Sequence, residues 1–407
     1  MENSSSIKRI NRKHLTDDIW YEIFLRLTLD SIFKFRCVSK LWFSILSNPS
    51  FLNKWYKLNI ASLPWGFVHE VPLPEDSYNR KLRCEFPDLH SRYVSHHGFS
   101  FRFLHEVVDN NMCILSSSNG LVLCSLVRQE SYYACNPLTQ KCVLLPPPPR
   151  NNIYQFLAAS MYNDPTHTRV VTGFMCNSEC FLEPTSYKGV RIPKFEAPTK
   201  EFKVEMFSSD VGEWNVYHVS RPLTATWKLG NSDNFVTYNG VFYWFQKRNY
   251  KILAVSVNRN NTNHECRLIN MPELEMNGDE INWLSESLGE SEGLICLARF
   301  KKLEERLSVW VLDGNHWYML HDDIILHDQL AELESQLIDG SGWKDFINDI
   351  EVVGFSPVDK NVVILSCRKY VWAYNTKTRV FEQLCHHSFP RSLRHFDHHV
   401  RALAFYF

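Results

Sequence analysis

Two stretches lying far apart in the chain can be laid on one another without a gap: Tyr133-Ala-Cys-Asn136-Pro-Leu-Thr139-Gln-Lys-Cys-Val-Leu-Leu145 and Trp372-Ala-Tyr-Asn375-Thr-Lys-Thr378-Arg-Val-Phe-Glu-Gln-Leu384. Each reads as strand, tight turn, strand. A second phrase also recurs, a glycine that opens an apolar strand, at Gly120, Gly240 and Gly293 after Asn119, Asn239 and Glu292. In a turn such a glycine takes a positive φ at little cost and delivers the chain into a buried strand. Hairpins ending in tryptophan recur too, before Trp214 and before Trp317. Radial repetition of four-stranded sheets generates this pattern, because blades of about 40–45 residues protect one another's edges. From residue 110 onward the expectation is therefore a large all-β domain, a β-propeller-like array of antiparallel sheets. The available length implies roughly six to eight blades at that period. A β-sandwich or a pair of smaller barrels is the alternative.

The first part of the chain has a different rhythm. In LTDDIWYEIFLRL, Ile19, Ile23 and Leu27 fall at four-residue spacing with Trp20 and Phe24 beside them, the pattern of an amphipathic helix. Thr16 is placed to cap it, and Asp17 and Asp18 suit the positive end of its dipole. Asp30 and Ser31 are cap candidates for a second helix carrying Ile32, Phe33, Phe35 and Val38. Ser39 restarts the chain into Leu41, Trp42, Ile45 and Leu46, and Asn48-Pro49 begins another helix with Phe51, Leu52 and Trp55. Residues 13–57 thus read as a small all-α module with more apolar surface than it can bury alone. That surface requires a neighbour, either a partner protein or the domain that follows. Residues 58–109, punctuated by Pro64, Pro72, Pro74 and Pro87, read as an irregular connection with the first strands, and 110–407 as the β domain.

The helical text resembles the F-box of the large plant family, through Leu15, Asp17, Asp18, Ile19, Glu22, Ile23, Arg26, Leu27, Phe35, Arg36, Val38, Ser39, Lys40 and Trp42. Two prolines of that pattern are replaced here, by Thr16 and Thr28, and its frequent lysine before Ser31 is Asp30. The phrases SSSNGLVLC, YYACNPLTQKCVLLPPP, FKVEMFSSDVGEW, VTYNGVFYWF, ESEGLICLARF and VWVLDGNHW resemble the propeller-like F-box-associated domain of the same plant proteins, in the same order.

The resemblance implies a non-catalytic substrate-receptor subunit of an SCF-type (Skp-cullin-F-box) E3 ubiquitin ligase. Its F-box would bind a Skp-type adaptor, and through it a cullin-RING ligase, by Leu15, Ile19, Ile23, Leu27, Ile32, Phe35 and Val38, with Trp42 in the module's own core. The β domain would hold a client protein that the sequence does not identify, by residues it does not mark. The alternatives are an enzyme with its site in the propeller channel, or a stand-alone binding protein, with the helical module as a tether.

Composition bears on partners. With 44 Lys plus Arg against 45 Asp plus Glu, bulk charge selects neither nucleic acid nor an anionic membrane. No run of about 18 apolar residues is present, so no ordinary spanning helix is expected, and the basic N-terminal stretch lacks a signal-peptide core. The expected location is cytoplasmic or nuclear. The twelve cysteines are scattered without a C-x-x-C pair, which predicts reduced thiols, no metal and no cofactor. A cluster of Cys385, His386, His387, His395, His398 and His399 matches no ligand spacing. No phosphate-cradling glycine loop, G-x-S-x-G elbow or H-E-x-x-H helix occurs.

Two segments break the strand pattern. Residues 178–200, with Pro184, Pro193 and Pro198, read as a long exposed loop. In an acidic insertion, Leu326, Leu330, Leu333 and Leu337 lie along one helical face, as expected of a helix packed on the outside of the domain.

Overall fold

The computed structural model describes residues 17–59, 65–73, 76–85, 112–118, 120–126, 131–136, 141–149, 170–176, 186–193, 201–220, 234–246, 251–256, 265–272, 283–336, 342–367, 370–386 and 401–404. The chain divides into two compact units near Leu63, one of helices and one of sheets.

The helical unit contains α1 (Asp17–Phe24), α2 (Leu29–Arg36), α3 (Lys40–Leu46) and α4 (Pro49–Asn59). Its core is Phe24, Leu25, Ile32, Leu46, Phe51, Leu52 and Trp55. Side chains supply the caps. Ser39 accepts from the Trp42 amide at 3.1 Å, and Asn48 from the Ser50 amide at 2.9 Å, ahead of Pro49 in the first helical position. For α2 the cap is Thr28, ahead of the expected Asp30 or Ser31. Thr28 holds φ at −66°, the angle a proline ring would impose, and adds a hydroxyl that accepts from the Ser31 amide. The replacement thus keeps proline's backbone geometry and gains a cap. Thr16 lies outside the described residues.

The second unit begins with β1 (Trp65–Leu73) and β2 (Asp76–Glu85), in the stretch read as connection and first strands. Five four-stranded antiparallel blades come next. They comprise β3 (Met112–Ser118), β4 (Leu121–Leu126), β5 (Tyr132–Asn136) and β6 (Lys141–Leu144); β7 (Val170–Cys176), β8 (Tyr187–Pro193), β9 (Glu201–Ser208) and β10 (Glu213–Ser220); and β11 (Asn234–Tyr238), β12 (Val241–Gln246), β13 (Lys251–Ser256) and β14 (Glu265–Asn270). The fourth holds β15 (Leu284–Ser291), β16 (Leu294–Lys301), β17 (Arg306–Asp313) and β18 (His316–Ile325), and the fifth β19 (Ile350–Phe355), β20 (Val362–Cys367), β21 (Tyr370–Asn375) and β22 (Val380–His386). The late strand β23 (Arg401–Ala404) pairs antiparallel with β1, giving a three-stranded sheet in the order β2-β1-β23.

The first strands β3, β7, β11, β15 and β19 stand side by side in that order, and β23 stands between β19 and β3. The ring is therefore closed by pairing strands from its two ends. Among the described residues there are thus five four-stranded blades and one three-stranded sheet, where the repeat period implied six to eight blades.

Inner strands such as β12, β13 and β16 are buried on both sides because each sheet is sandwiched between two others, whereas the outer strands β6, β10 and β18 are largely exposed. On β12, Phe242 and Trp244 pack against the second blade while Tyr243 and Phe245 pack against the fourth. Neighbouring first strands also run in the same sense, as their polar contacts show. Near the strand ends, the Cys176 amide donates to Ser118 Oγ at 3.1 Å and Ser291 Oγ donates to the Ser356 carbonyl at 2.5 Å; near a strand start, the Val352 amide donates to Ser285 Oγ at 2.7 Å. Glycine permits the closest approach. A Cβ on Gly173 of β7 would stand 1.8 Å from the Phe235 ring of β11, and one on Gly289 of β15 would stand 2.6 Å from Phe355 of β19.

The tryptophan hairpins act between blades. The Trp214 indole donates to the Pro146 carbonyl at 2.8 Å, and the Trp317 indole to the Asn270 carbonyl at 2.9 Å, each joining an outer strand to the end of the preceding blade. The expected turns are present as well: Asn239-Gly240 and Glu292-Gly293 are two-residue loops with positive φ at both positions, the geometry that matches strand twist.

Two expectations are corrected. The segment 178–200 is not simply an exposed loop, because it contains β8, whose Val190, Arg191 and Ile192 are buried. Arg191 can sit there because it pairs with Glu205 of β9 at 3.0 Å and lies over the Tyr132 and Trp214 rings. The fourth blade repeats the device: Arg299 pairs with Glu286 at 2.6 Å and lies over Trp310. Nor are all the cysteines reduced, since Cys135 and Cys142, partners across β5 and β6, are joined by a disulfide.

The acidic insertion forms α5 (His327–Gln336) and α6 (Trp343–Asn348). Leu326, Leu330, Phe346 and Ile347 are buried in the core between the fourth and fifth blades, and Leu333 packs against it. Leu337 lies outside the described residues. Glu305 anchors the insertion, pairing with His327 and accepting the Trp343 indole N–H at 3.0 Å.

Candidate functional site

The helical unit fills its core and still leaves large apolar side chains outside. On α1 the aromatic positions turn inward: Trp20, Phe24, Phe35 and Trp42 form a cluster with ring centroids 4.9 to 6.1 Å apart. Trp42 thus packs within the module's own core. Ile19 and Ile23, one turn apart on α1, are 45% and 39% exposed, and Val38 is 60% exposed. Leu27 and Phe35 are half-buried, and Leu15 lies outside the described residues. Ile32 differs from its assignment as a surface contact: at 1% exposure it belongs to the interior, because α2 turns that side toward the core of the unit.

Leu41, Phe43 and Leu58 are also exposed; the sequence pattern placed Leu41 among the apolar positions of its helix and did not mark Phe43 or Leu58. The available signal was crowding: α3 reads KLWFSIL, with more apolar positions than one helical face can bury. Polar contacts hold the unit in shape. The Trp55 indole donates to the Leu27 carbonyl at 2.9 Å, Asn59 donates to the Leu25 carbonyl at 2.9 Å, and Lys54 pairs with Glu22 at 3.3 Å. The Arg36 guanidinium lies over the Phe33 and Phe43 rings. The result is a unit that holds its shape by internal contacts and displays Ile19, Ile23, Val38, Leu41 and Phe43 outside its filled core.

The β unit offers less by way of chemistry. Among the described residues, no group of three or more His, Cys, Asp or Glu side chains is placed to hold a metal ion. Cys385 and His386 fall at the end of β22, and the rest of the C-terminal histidine cluster lies outside the described residues. Burial pushes the Cys176 and Cys296 thiols up to about 12, which makes both poor nucleophiles. Glu290, raised to about 7 by burial, accepts the Gly293 amide at 2.8 Å inside its own hairpin.

The blade topology segregates the connections. With four antiparallel strands per blade, every link from one blade to the next emerges on the same face of the ring. Those links span 145–169, 221–233, 271–283, 326–349 and 387–400. The opposite face carries the two-residue turns 239–240, 292–293 and 314–315 and also the longer links 177–186, 257–264 and 356–361. The insertion holding α5 and α6 therefore shares a face with the other long connections.

A short helical unit followed by a propeller of meandering blades defines a class, the F-box proteins with a C-terminal propeller. Comparison with known proteins places the chain within it: residues 13–54 match the F-box domain, residues 78–394 match the β-propeller of the F-box protein At3g26010-like family, and the chain belongs to that family. The chain is similar to F-box protein At5g07610 of Arabidopsis thaliana, at 23% identity over 91% of this chain and 85% of that protein. It is also similar to F-box protein At3g28330, at 23% identity over 77% and 75%, and to F-box protein At3g26010, at 32% identity over 33% and 30%, both of Arabidopsis thaliana.

Proposed function

We propose that this chain is the substrate-receptor subunit of an SCF-type E3 ubiquitin ligase, in which the helical unit binds a Skp-type adaptor and the propeller binds a client protein. The observation that carries this reading is the exposure of Ile19, Ile23 and Val38 on a unit whose own core is already filled. Aliphatic side chains displayed on α1 and in the turn between α2 and α3 suit an apolar partner surface, and burying the exposed half of each would contribute about 1 kcal/mol.

The receptor is non-catalytic. Its contribution is positional: holding the client's lysine near the charged conjugating enzyme raises the effective concentration of the reacting pair. The client docks on the face that carries the long connections together with α5 and α6, because long loops on a rigid ring supply recognition while two-residue turns offer little to read. The ligase operates in the cytoplasm or nucleus.

The test is capture of purified Skp-type adaptor by the full-length chain and by an Ile19→Asp, Ile23→Asp double variant, after circular dichroism shows that the variant's β unit is folded. The expected result is capture by the parent and loss of at least about tenfold in affinity for the variant. Absence of capture by the parent would overturn the proposal, as would undiminished capture by the variant.

A further inference from the structure

The disulfide lies at a particular place in the fold. Cys135 and Cys142 face each other across β5 and β6, with Cα atoms 4.2 Å apart. Cys135 is fully buried, whereas Cys142 is half-buried on β6, the outermost strand of the first blade. A third cysteine shares their face of the sheet: Cys135 stands opposite Val122, so Cys124, two residues along β4, is its diagonal neighbour. The strand they hold is short and exposed. β6 has only four residues, and Val143 and Leu144 are more than half exposed.

The segment just past β6 depends on the anchorage of that strand. The Leu145 amide donates to the Tyr132 carbonyl at 2.8 Å, and the next carbonyl, of Pro146, is the one that receives the Trp214 indole of the second blade. The same segment opens the connection 145–169. A covalent link at Cys142 therefore secures an edge strand, an interblade hydrogen bond and the root of a long connection together.

We propose that Cys135 and Cys142 form a reversible redox clasp, a modification site for disulfides of the glutathione class. In the reduced chain, the Cys142 thiolate on the accessible edge attacks a sulfur of oxidised glutathione and expels one glutathione thiolate. The Cys135 thiolate then attacks the Cys142 sulfur of the mixed disulfide and expels the second. Two protein thiols and one oxidised glutathione become one protein disulfide and two reduced glutathiones, and excess reduced glutathione runs the sequence backwards. Opening the clasp leaves β6 held by its ladder hydrogen bonds alone. The clasp is independent of membership in a ligase.

The test uses the full-length chain equilibrated across glutathione buffers from fully reduced to fully oxidised, acid-quenched, alkylated and mapped by mass spectrometry, with amide exchange followed at 141–145 and 214. The Cys135–Cys142 bond should form and break within the series, and exchange at 141–145 should be about tenfold faster or more in the open state. Cys142→Ser, at a half-buried edge position, should show the fast exchange in both buffers. Cys124→Ser should cycle like the parent. The assignment is overturned if the pair stays thiol at the oxidised end or bonded at the reduced end. Equally, it is overturned by a Cys124–Cys135 bond in its place, or by cycling that leaves exchange at 141–145 unchanged.

Discussion

Replacing Gly173 by alanine tests the closeness of the first strands. The added methyl would stand 1.8 Å from Phe235 Cε1 and 2.5 Å from its two neighbouring ring atoms, where carbon contacts ordinarily begin near 3.5 Å. Phe235 has little freedom to retreat: it is buried, and its ring lies 5.6 Å from that of Phe242 in the core shared by the second and third blades. Relief requires β7 and β11 to separate, and inserting a methyl into so tight a contact costs about 3 kcal/mol, the upper end of ordinary overpacking. For a unit of this size the thermal midpoint of the propeller falls by about 4 °C, read by calorimetry. Gly354→Ala is the control. A Cβ there meets nothing within 4 Å, so its effect stays within about 0.5 kcal/mol. Combining Gly173→Ala with Phe235→Leu shortens the obstructing side chain, and the pair should be more stable than the sum of the single changes by at least about 1 kcal/mol. A Gly173→Ala chain that melts within about 1 °C of the parent, or strict additivity in the double variant, would refute the packing argument.

Two other consequences concern buried charge. Glu290 holds its proton more tightly in the folded chain, its carboxyl having been raised from 4.5 to about 7, so stability should fall as pH rises through that interval. Urea titrations at a series of pH values should show this slope flattened in Glu290→Gln, and an unaltered slope would count against it. Arg299→Met leaves Glu286 buried without its cation and should cost about 3–5 kcal/mol, while the double change Glu286→Leu, Arg299→Met recovers most of that loss. A single variant as stable as the parent, by denaturant midpoint, would mean that the pair is already solvated.

The sequence made local features legible. Four-residue spacing and caps at Ser39 and Asn48 located the helices, and the glycine phrases located the two-residue turns. Other features arise only from neighbours distant in sequence. Pro184, Pro193 and Pro198 made 178–200 look like a loop, and the strand within it, with its inward Arg191, is readable only once Glu205 and the two aromatic rings are in place. Ile32 and Ile19 look alike in a periodic pattern, yet the packing of α2 buries one and leaves the other exposed. Spacing gave no warning that Cys135 and Cys142 would face one another, since that arises from the register of β5 on β6. The number of four-stranded blades was hidden because the connections between them differ so much in length.

Closure of the ring by β1 and β23 sets an order of events during synthesis. The helices at residues 17–59 emerge early and need no late sequence to complete their core, whereas β1 waits for a partner more than three hundred residues downstream. Until residues 401–404 arrive, the sheet edges of β1 and β19 have no strand between them and β3. A growing chain can thus complete its helical core while the ring of sheets still stands open, and closure of that ring waits for residues 401–404.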